Sequence, residues 1–463
     1  MRDHSMLRKW QAECVAQALE KYESGSNHFF CQATPGAGKS IMSATLAKTL
    51  LDKGMIDLIL CFSPSVAVAD GMRATFSIII NCPFNGSLGS IGQSLTYQSI
   101  QYLGDDFWRT IEKYRVLVVF DEIHHCSGDE PDRANIWGQQ ILARIQGVAT
   151  YTLALSGTPW RSDKFPIVLA EYSDPEGKLF CDYQYGLAQA IADNVCRKPK
   201  IVLVDNEHLT ISEGAEKKSF ASILELLKQS KTSYQDVIHN TQAMEYILGL
   251  GCQKLSEIRK ESFNAGGLVV ASSVKHAKQV QKILTEKFGQ SATLVTYHHD
   301  DPQSEIKAYQ TGTTQWIVSV GMISEGTDIP RLQVCCHISA VKTELYFRQV
   351  LGRILRVNDS PNQQAWLYTF AEQNLIEYAE RIEHDIPETC LFAKIGKEEY
   401  APELQATNQC GEVESVPAKT IKGYSQFDWG IQSKPSSSGR GADDIFDEIW
   451  LGRFRERVVS AFL

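Results

Sequence analysis

The chain has 463 residues, 43% of them hydrophobic and 22% charged, a globular composition too long for one ordinary core, so two or three domains are expected. A formal net charge of −9 excludes a protein-wide basic field, so any nucleic-acid contact has to come from a local, salt-sensitive groove. No run approaches the roughly 18 uninterrupted apolar residues of a membrane span.

Met1-Arg2-Asp3-His4-Ser5 lacks the apolar stretch of a secretory signal. Leu7 to Tyr22 then carries apolar residues at helical spacing and reads as an amphipathic helix. An apolar run, His28-Phe29-Phe30-Cys31, reads as a buried parallel strand, and the helical pattern Ile41 to Leu51 lies beyond it. Between them stands Ala33-Thr34-Pro35-Gly36-Ala37-Gly38-Lys39-Ser40. A strand, a glycine-rich turn ending in Gly-Lys-Ser and a helix make a phosphate cradle. Backbone N–H groups and the helix N-terminus face the oxygens, Lys39 reaches the β/γ-phosphates, and Ser40 can ligate Mg²⁺.

Strands follow at Leu58 to Phe62, ending in Ser63-Pro64-Ser65, and at Arg115 to Phe120, running into Asp121-Glu122-Ile123-His124-His125. Leu95 to Ile100 between them is a polar, hydroxyl-rich turn, and Tyr151 to Leu155 ends in Ser156-Gly157-Thr158-Pro159. Apolar strands alternating with helices predict a parallel sheet covered on both faces. Carboxylates at strand C-termini point into the crevice where open α/β sheets bind ligands. Asp121 would therefore hold Mg²⁺ and Glu122 would act as general base on the attacking water.

The first lobe is expected over 1–195. After it, 196–265 has a different texture, with a strand at Ile201 to Val204 and largely helical sequence, and is expected to be a helical connector. Strand and helix alternation resumes over 266–378, with strands near residues 267, 293, 316, 334 and 365, and predicts a second α/β lobe without a phosphate loop of its own. Its strongest element is Gln349-x-x-Gly352-Arg353-x-x-Arg356. Arginines three apart share a helix face, and a planar fixed guanidinium suits the charge that develops in phosphoryl transfer.

The extension 379–463 contains a serine- and glycine-rich flexible linker, 433–441, and then Phe446, Trp450, Phe454, Val458 and Phe462 at every fourth position. That spacing predicts an amphipathic helix over 443–463, docked on its own chain or presented to a protein partner. The 12 cysteines are scattered without any C-x-x-C, which argues against zinc and for reduced thiols in a cytoplasm.

The ordered set of phosphate loop, Asp-Glu-x-His, Ser-Gly-Thr-Pro and Gln-x-x-Gly-Arg-x-x-Arg resembles the superfamily 2 DExH-box helicases, and within them the restriction-enzyme helicase subunits. The likeness covers roughly 6–375, and Ala33 suits it, since the family's loop commonly begins with Ala. It implies two tandem RecA-like domains with ATP and Mg²⁺ between them: Lys39, Ser40, Asp121 and Glu122 on one wall, Gln349, Arg353 and Arg356 on the other. Arg8 and Gln11 would read adenine or order the loop, and Asp328 would face the ribose. His124, Ser156 and Thr158 would couple hydrolysis to lobe movement. Ser63, Thr96, Gln98, Ser272 and Thr327 would contact nucleic-acid backbone, a kind of contact that positions a strand without reading its sequence. The resemblance favours DNA over RNA and a role in antiviral defence or DNA repair. A motor or sensor subunit serving a separate nuclease or effector, without unwinding, stands as the alternative.

Overall fold

A computed structural model describes residues 7–128, 134–158, 165–173, 177, 179–213, 216–296, 301–321, 327–383, 449–451 and 453–460. The six residues of Val116–Asp121 are all buried, as a strand covered on both faces requires, and this strand is central in a six-stranded parallel sheet. The order across that sheet is Gly92–Thr96, Leu58–Ser63, Val116–Asp121, Tyr151–Ser156, His28–Ala33 and Tyr183–Tyr185. Parallel pairing sends every strand's carboxyl end to one edge, so Ala33, Ser63, Thr96, Asp121 and Ser156 share that edge as final strand residues. Topology alone thus gathers motifs more than one hundred residues apart.

Helix Lys9–Glu23 covers this sheet with Trp10, Cys14, Ala18 and Tyr22 buried, and the Trp10 ring stacks on Tyr185 at 4.9 Å. The polar turn expected at Leu95 to Ile100 is the end of the strand Gly92–Thr96 followed by a 3₁₀ helix, Tyr97–Tyr102.

The second sheet has seven strands, in the order Ala292–Val295, Trp316–Ser319, Gly266–Ala271, Leu332–Ile338, Gln364–Phe370, Lys198–Asn206 and Phe454–Ser460. All neighbours are parallel except the last pair. With the first sheet this makes two tandem RecA-like α/β lobes.

Two expectations are corrected. Residues 196–265 are not a separate helical connector. Lys198–Asn206 is an inner strand of the second sheet, Leu209–Glu213 and Glu216–Phe220 form a hairpin, and the helices Ile223–Gln229, Tyr234–His239 and Thr241–Arg259 follow. The strand expected at Ile201 to Val204 is present with all four residues buried, but it pairs inside the second sheet instead of standing in a connector.

Nor do the described residues of the expected 443–463 helix form a helix. Ile449–Leu451 pairs antiparallel with the hairpin, and Phe454–Ser460 pairs antiparallel with Lys198–Asn206. A repeat of four residues is a multiple of two, so the same spacing that suggests a helix face also places Phe454 and Val458 in one phase of the strand Phe454–Ser460. The 433–441 linker lies outside the described residues. Among the described residues no helix is long and apolar enough to cross a membrane.

Candidate functional site

The strand His28–Ala33 turns into helix Lys39–Asp52 through a loop whose Gly36 and Gly38 have φ of 84° and 96°, a left-handed conformation that a side chain would strain. Space is tight as well. A Cβ on Gly38 would sit 2.8 Å from Gln11 Nε2, and one on Gly36 would sit 3.3 Å from Arg356 Cγ. The loop is braced from the first helix: the Arg8 guanidinium donates to the Ala37 carbonyl at 2.6 Å, and Gln11 Nε2 donates to the Gly38 carbonyl at 2.9 Å. Gln11 Oε1 accepts the Arg8 backbone N–H at 2.9 Å, which fixes the pair to each other. Of the two readings left open for Arg8 and Gln11, these bonds support loop ordering.

Lys39, first in its helix, lies 2.8 Å from Glu122 Oε1 across the sheet edge. Glu122 follows the last residue of its strand with φ 50° and ψ 53°, and this left-handed turn aims its carboxylate back over the loop. Its second oxygen accepts the Gly157 N–H at 3.1 Å and lies 3.4 Å from His124 Nδ1. Burial by itself would raise the Glu122 pKa, but Lys39, His124 and the Gly157 N–H together outweigh it and hold the carboxyl at about 2. Burial likewise works against a charged Lys39, and the Glu122 and Asp121 carboxylates overcome it and raise its pKa.

His124 Nδ1 is also 2.9 Å from Ser156 Oγ, which accepts the Thr158 N–H at 3.2 Å. The three residues expected to couple hydrolysis to movement are therefore bonded in one chain that begins at Glu122. Tyr97 OH donates to the Asp121 carbonyl at 2.9 Å and pins the strand end.

The second lobe supplies the opposite wall. Helix Glu344–Ile354 carries Gln349 and Arg353, 4% and 8% exposed, and Arg356 follows just beyond its end. Arg353 Nη1 donates to the Thr327 carbonyl at 2.8 Å, and Arg356 pairs with the Asp328 carboxylate. Between the walls lies a cavity of about 630 Å³, whose lining includes Lys39, Ser40, Asp121, Glu122, Arg353 and Arg356. Pro35, Gly36, Gly38, Thr158, Asp328 and Gln349 also reach it.

The residues expected on nucleic-acid backbone are less uniformly placed. Thr96 and Gln98 are half-buried beside the sheet edge. Ser63 is fully buried and Thr327 is 6% exposed, so in this conformation neither hydroxyl is open to a strand. Ser272 Oγ is engaged by His239 Nε2 at 2.6 Å and His276 Nδ1 at 2.9 Å.

Residues 4–161 match the family described as the type III restriction enzyme res subunit, and residues 251–358 match the helicase conserved C-terminal domain. The chain belongs to the superfamily 2 helicases, related to the restriction-enzyme helicase subunits. It is 30% identical to an uncharacterized protein of Mycobacterium tuberculosis over 81% of this chain and 63% of that one. It therefore spans less than two thirds of that relative's length. It is 24% identical to the DNA 3'-5' translocase XPB2 of Sulfurisphaera tokodaii, over 78% of this chain and 80% of that protein. Among solved structures, a fragment of a putative HsdR subunit of a type I restriction enzyme from Vibrio vulnificus shares the fold, with a TM-score of 0.56 and 16% identity over 82% of this chain and 67% of that one.

In this helicase chain, sequence reasoning missed Tyr97, Asn358 and Asp359, the last two lining the cavity beside Arg356, and it missed the buried Arg197 described below. None of them carries a local signal. Each is an ordinary residue type, and Arg197 is held by contacts far along the chain.

Proposed function

We propose that the chain hydrolyses ATP in the cleft between its lobes and uses that cycle to move along nucleic acid, with DNA as the preferred track. The observation that carries the reading is the single cavity in which Lys39 and Glu122 of one lobe face Arg353 and Arg356 of the other.

The residues present fit a magnesium nucleotide. Two left-handed glycines leave a cradle that any Cβ would fill, and the lining pairs Arg8, Lys39, Arg353 and Arg356 with Asp121, Glu122, Asp328 and Asp359. Such a charge-balanced wall accepts a triphosphate together with a divalent cation. Ser40 and Asp121 would hold Mg²⁺, which would offset the charge of the phosphates.

The loop N–H groups and Lys39 would then bind the phosphates, which draws Lys39 away from Glu122. The released carboxylate is an ionised base at neutral pH and orients the attacking water. Arg356 would exchange Asp328 for the terminal phosphate as the lobes close, and Arg353 would hold the helix against the Thr327 carbonyl. The bonded chain Glu122–His124–Ser156–Thr158 would carry the change toward the sheet edge where Thr96 and Gln98 stand. Opening and closing of the cleft is the stepping motion.

The preference for DNA draws support from the name of the Sulfurisphaera translocase. A place in antiviral defence or DNA repair belongs to the same reading through the restriction-enzyme kinship. Triplex displacement against strand separation tests movement: displacement of a third strand that depends on ATP and is lost in Lys39→Ala supports a motor, and ATP hydrolysis without displacement supports the non-translocating alternative.

A further inference from the structure

Arg197 is 1% exposed and stands at the crossing between the lobes. Its guanidinium has five N–H groups, and each meets an oxygen. Nε donates to Gln363 Oε1 at 3.0 Å, Nη1 to the Leu332 carbonyl at 2.6 Å and the Ile354 carbonyl at 3.3 Å, and Nη2 to the Pro330 carbonyl at 3.0 Å and Asn358 Oδ1 at 2.8 Å. None of these acceptors is a carboxylate. Burial presses its pKa down to about 10, which leaves the group charged at neutral pH. A buried cation bonded only to neutral oxygens is a costly way to fill space, and an apolar side chain could fill it at less cost.

What the fork holds together explains the placement. Ile354 ends the helix that carries Gln349 and Arg353, where orphan carbonyls and the negative end of the helix dipole favour a cation. Pro330 lies two residues beyond Asp328, the partner of Arg356. Arg197's own backbone N–H donates to the Leu355 carbonyl at 2.7 Å, and its neighbour Cys196 forms a β-bridge with Arg356. Cys196 Sγ in turn lies 3.7 Å from the Pro35 carbonyl of the phosphate loop. One short segment therefore touches the phosphate loop on one side and grips both supports of Arg356 on the other.

We propose that Arg197 is a positioning residue that links the crossing between the lobes to Arg356, so that lobe closure brings the Arg356 guanidinium onto the terminal phosphate. The inference rests on the ATP-hydrolysing role of Arg356 proposed above. It makes Arg197 act on turnover through Arg356 while ATP binding, carried by the first lobe, stays intact.

A double-mutant cycle on the whole chain tests it, with kcat and KM for ATP read beside the affinity for a fluorescent ATP analogue and the thermal midpoint. Arg197→Lys keeps the charge and loses the fork. It is expected to leave analogue affinity within about twofold, lower kcat at least about tenfold, and cost no more than about twofold further in an Arg356→Ala background. Gln363→Ala removes the Nε acceptor together with the Gln363 Nε2 bonds to the Asn358 and Ser360 carbonyls, at a residue outside the cavity lining. It is expected to lower kcat by about two- to fivefold with the same cancellation, which keeps the test open if Arg197→Lys folds poorly. If Arg356→Ala lowers kcat and the Arg197 and Gln363 changes leave it alone or multiply with it, the Arg197 inference is wrong and the site reading stands. If Arg356→Ala itself leaves kcat unchanged, the site reading falls and takes this inference with it.

Discussion

Lys39 Nζ and Glu122 Oε1 are 2.8 Å apart, so the cation proposed to bind phosphate and the carboxylate proposed to orient water are an ion pair in this structure. Replacing Glu122 by Gln keeps the shape of the side chain and removes the base. ATP hydrolysis is expected to fall by about 10²–10⁴-fold while analogue affinity stays within a fewfold. Lys39→Ala should lose both binding and turnover. Single-turnover hydrolysis beside analogue titration separates the two, and a Glu122→Gln protein that turns over like wild type removes the assigned base.

The same pair sets a pH dependence of stability. The Glu122 pKa is depressed from 4.5 to about 2 in the fold, so its contribution is complete above pH 4.5 and is lost as pH falls toward 2. Lys39 is raised above its ordinary 10.5, so its contribution is present below pH 10.5 and is lost as pH climbs past that value. The stability advantage of wild type over Glu122→Gln should therefore be level across neutral pH and shrink in acid. Thermal midpoints of both proteins from pH 2 to 9 check this, and an advantage that grows on acidification would refute it.

Arg8 and Gln11 hold two loop carbonyls, Ala37 and Gly38. Arg8→Ala removes one loop bond, and Gln11→Ala removes its loop bond and its bond to the Arg8 N–H. A loop bond is worth about 1 kcal/mol, so either change should raise KM for ATP by about fivefold or more with a smaller change in kcat. A loss confined to kcat would instead place these side chains in the chemical step.

The motifs were legible because the chemistry demands particular residue types over short spacings at strand ends. The parallel order of the sheets then did the rest, bringing Ala33, Asp121 and Ser156 to one edge. Where structure follows from long-range pairing, the sequence was ambiguous. Ile201 to Val204 reads as a strand, but its place inside the second sheet is set by neighbours at Gln364–Phe370 and Phe454–Ser460, which no local window contains. The four-residue spacing of Phe454 and Val458 satisfies both periods, and pairing with the edge of Lys198–Asn206 decides between them. Arg197 was invisible for a related reason: its acceptors at Leu332, Ile354 and Asn358 lie 135, 157 and 161 residues away.

The C-terminal strands yield a prediction opposite to that of a partner-docking helix. Phe454–Ser460 covers the edge of Lys198–Asn206, and Asn240 Nδ2 donates to the Ile449 carbonyl at 3.1 Å. Removing residues 449–463 bares that edge, and an uncovered strand invites association. The thermal midpoint should fall by about 4 °C or more and the shortened chain should tend to aggregate. Calorimetry and light scattering read both effects, and an unchanged midpoint would make the strands dispensable to the lobe.

Steady-state ATP hydrolysis by the whole chain, with and without single-stranded DNA, duplex DNA and RNA at low salt, tests the central claim most directly. The account predicts at least about tenfold stimulation by DNA, lost in Lys39→Ala and weakened as salt rises. Hydrolysis that no nucleic acid changes would contradict it.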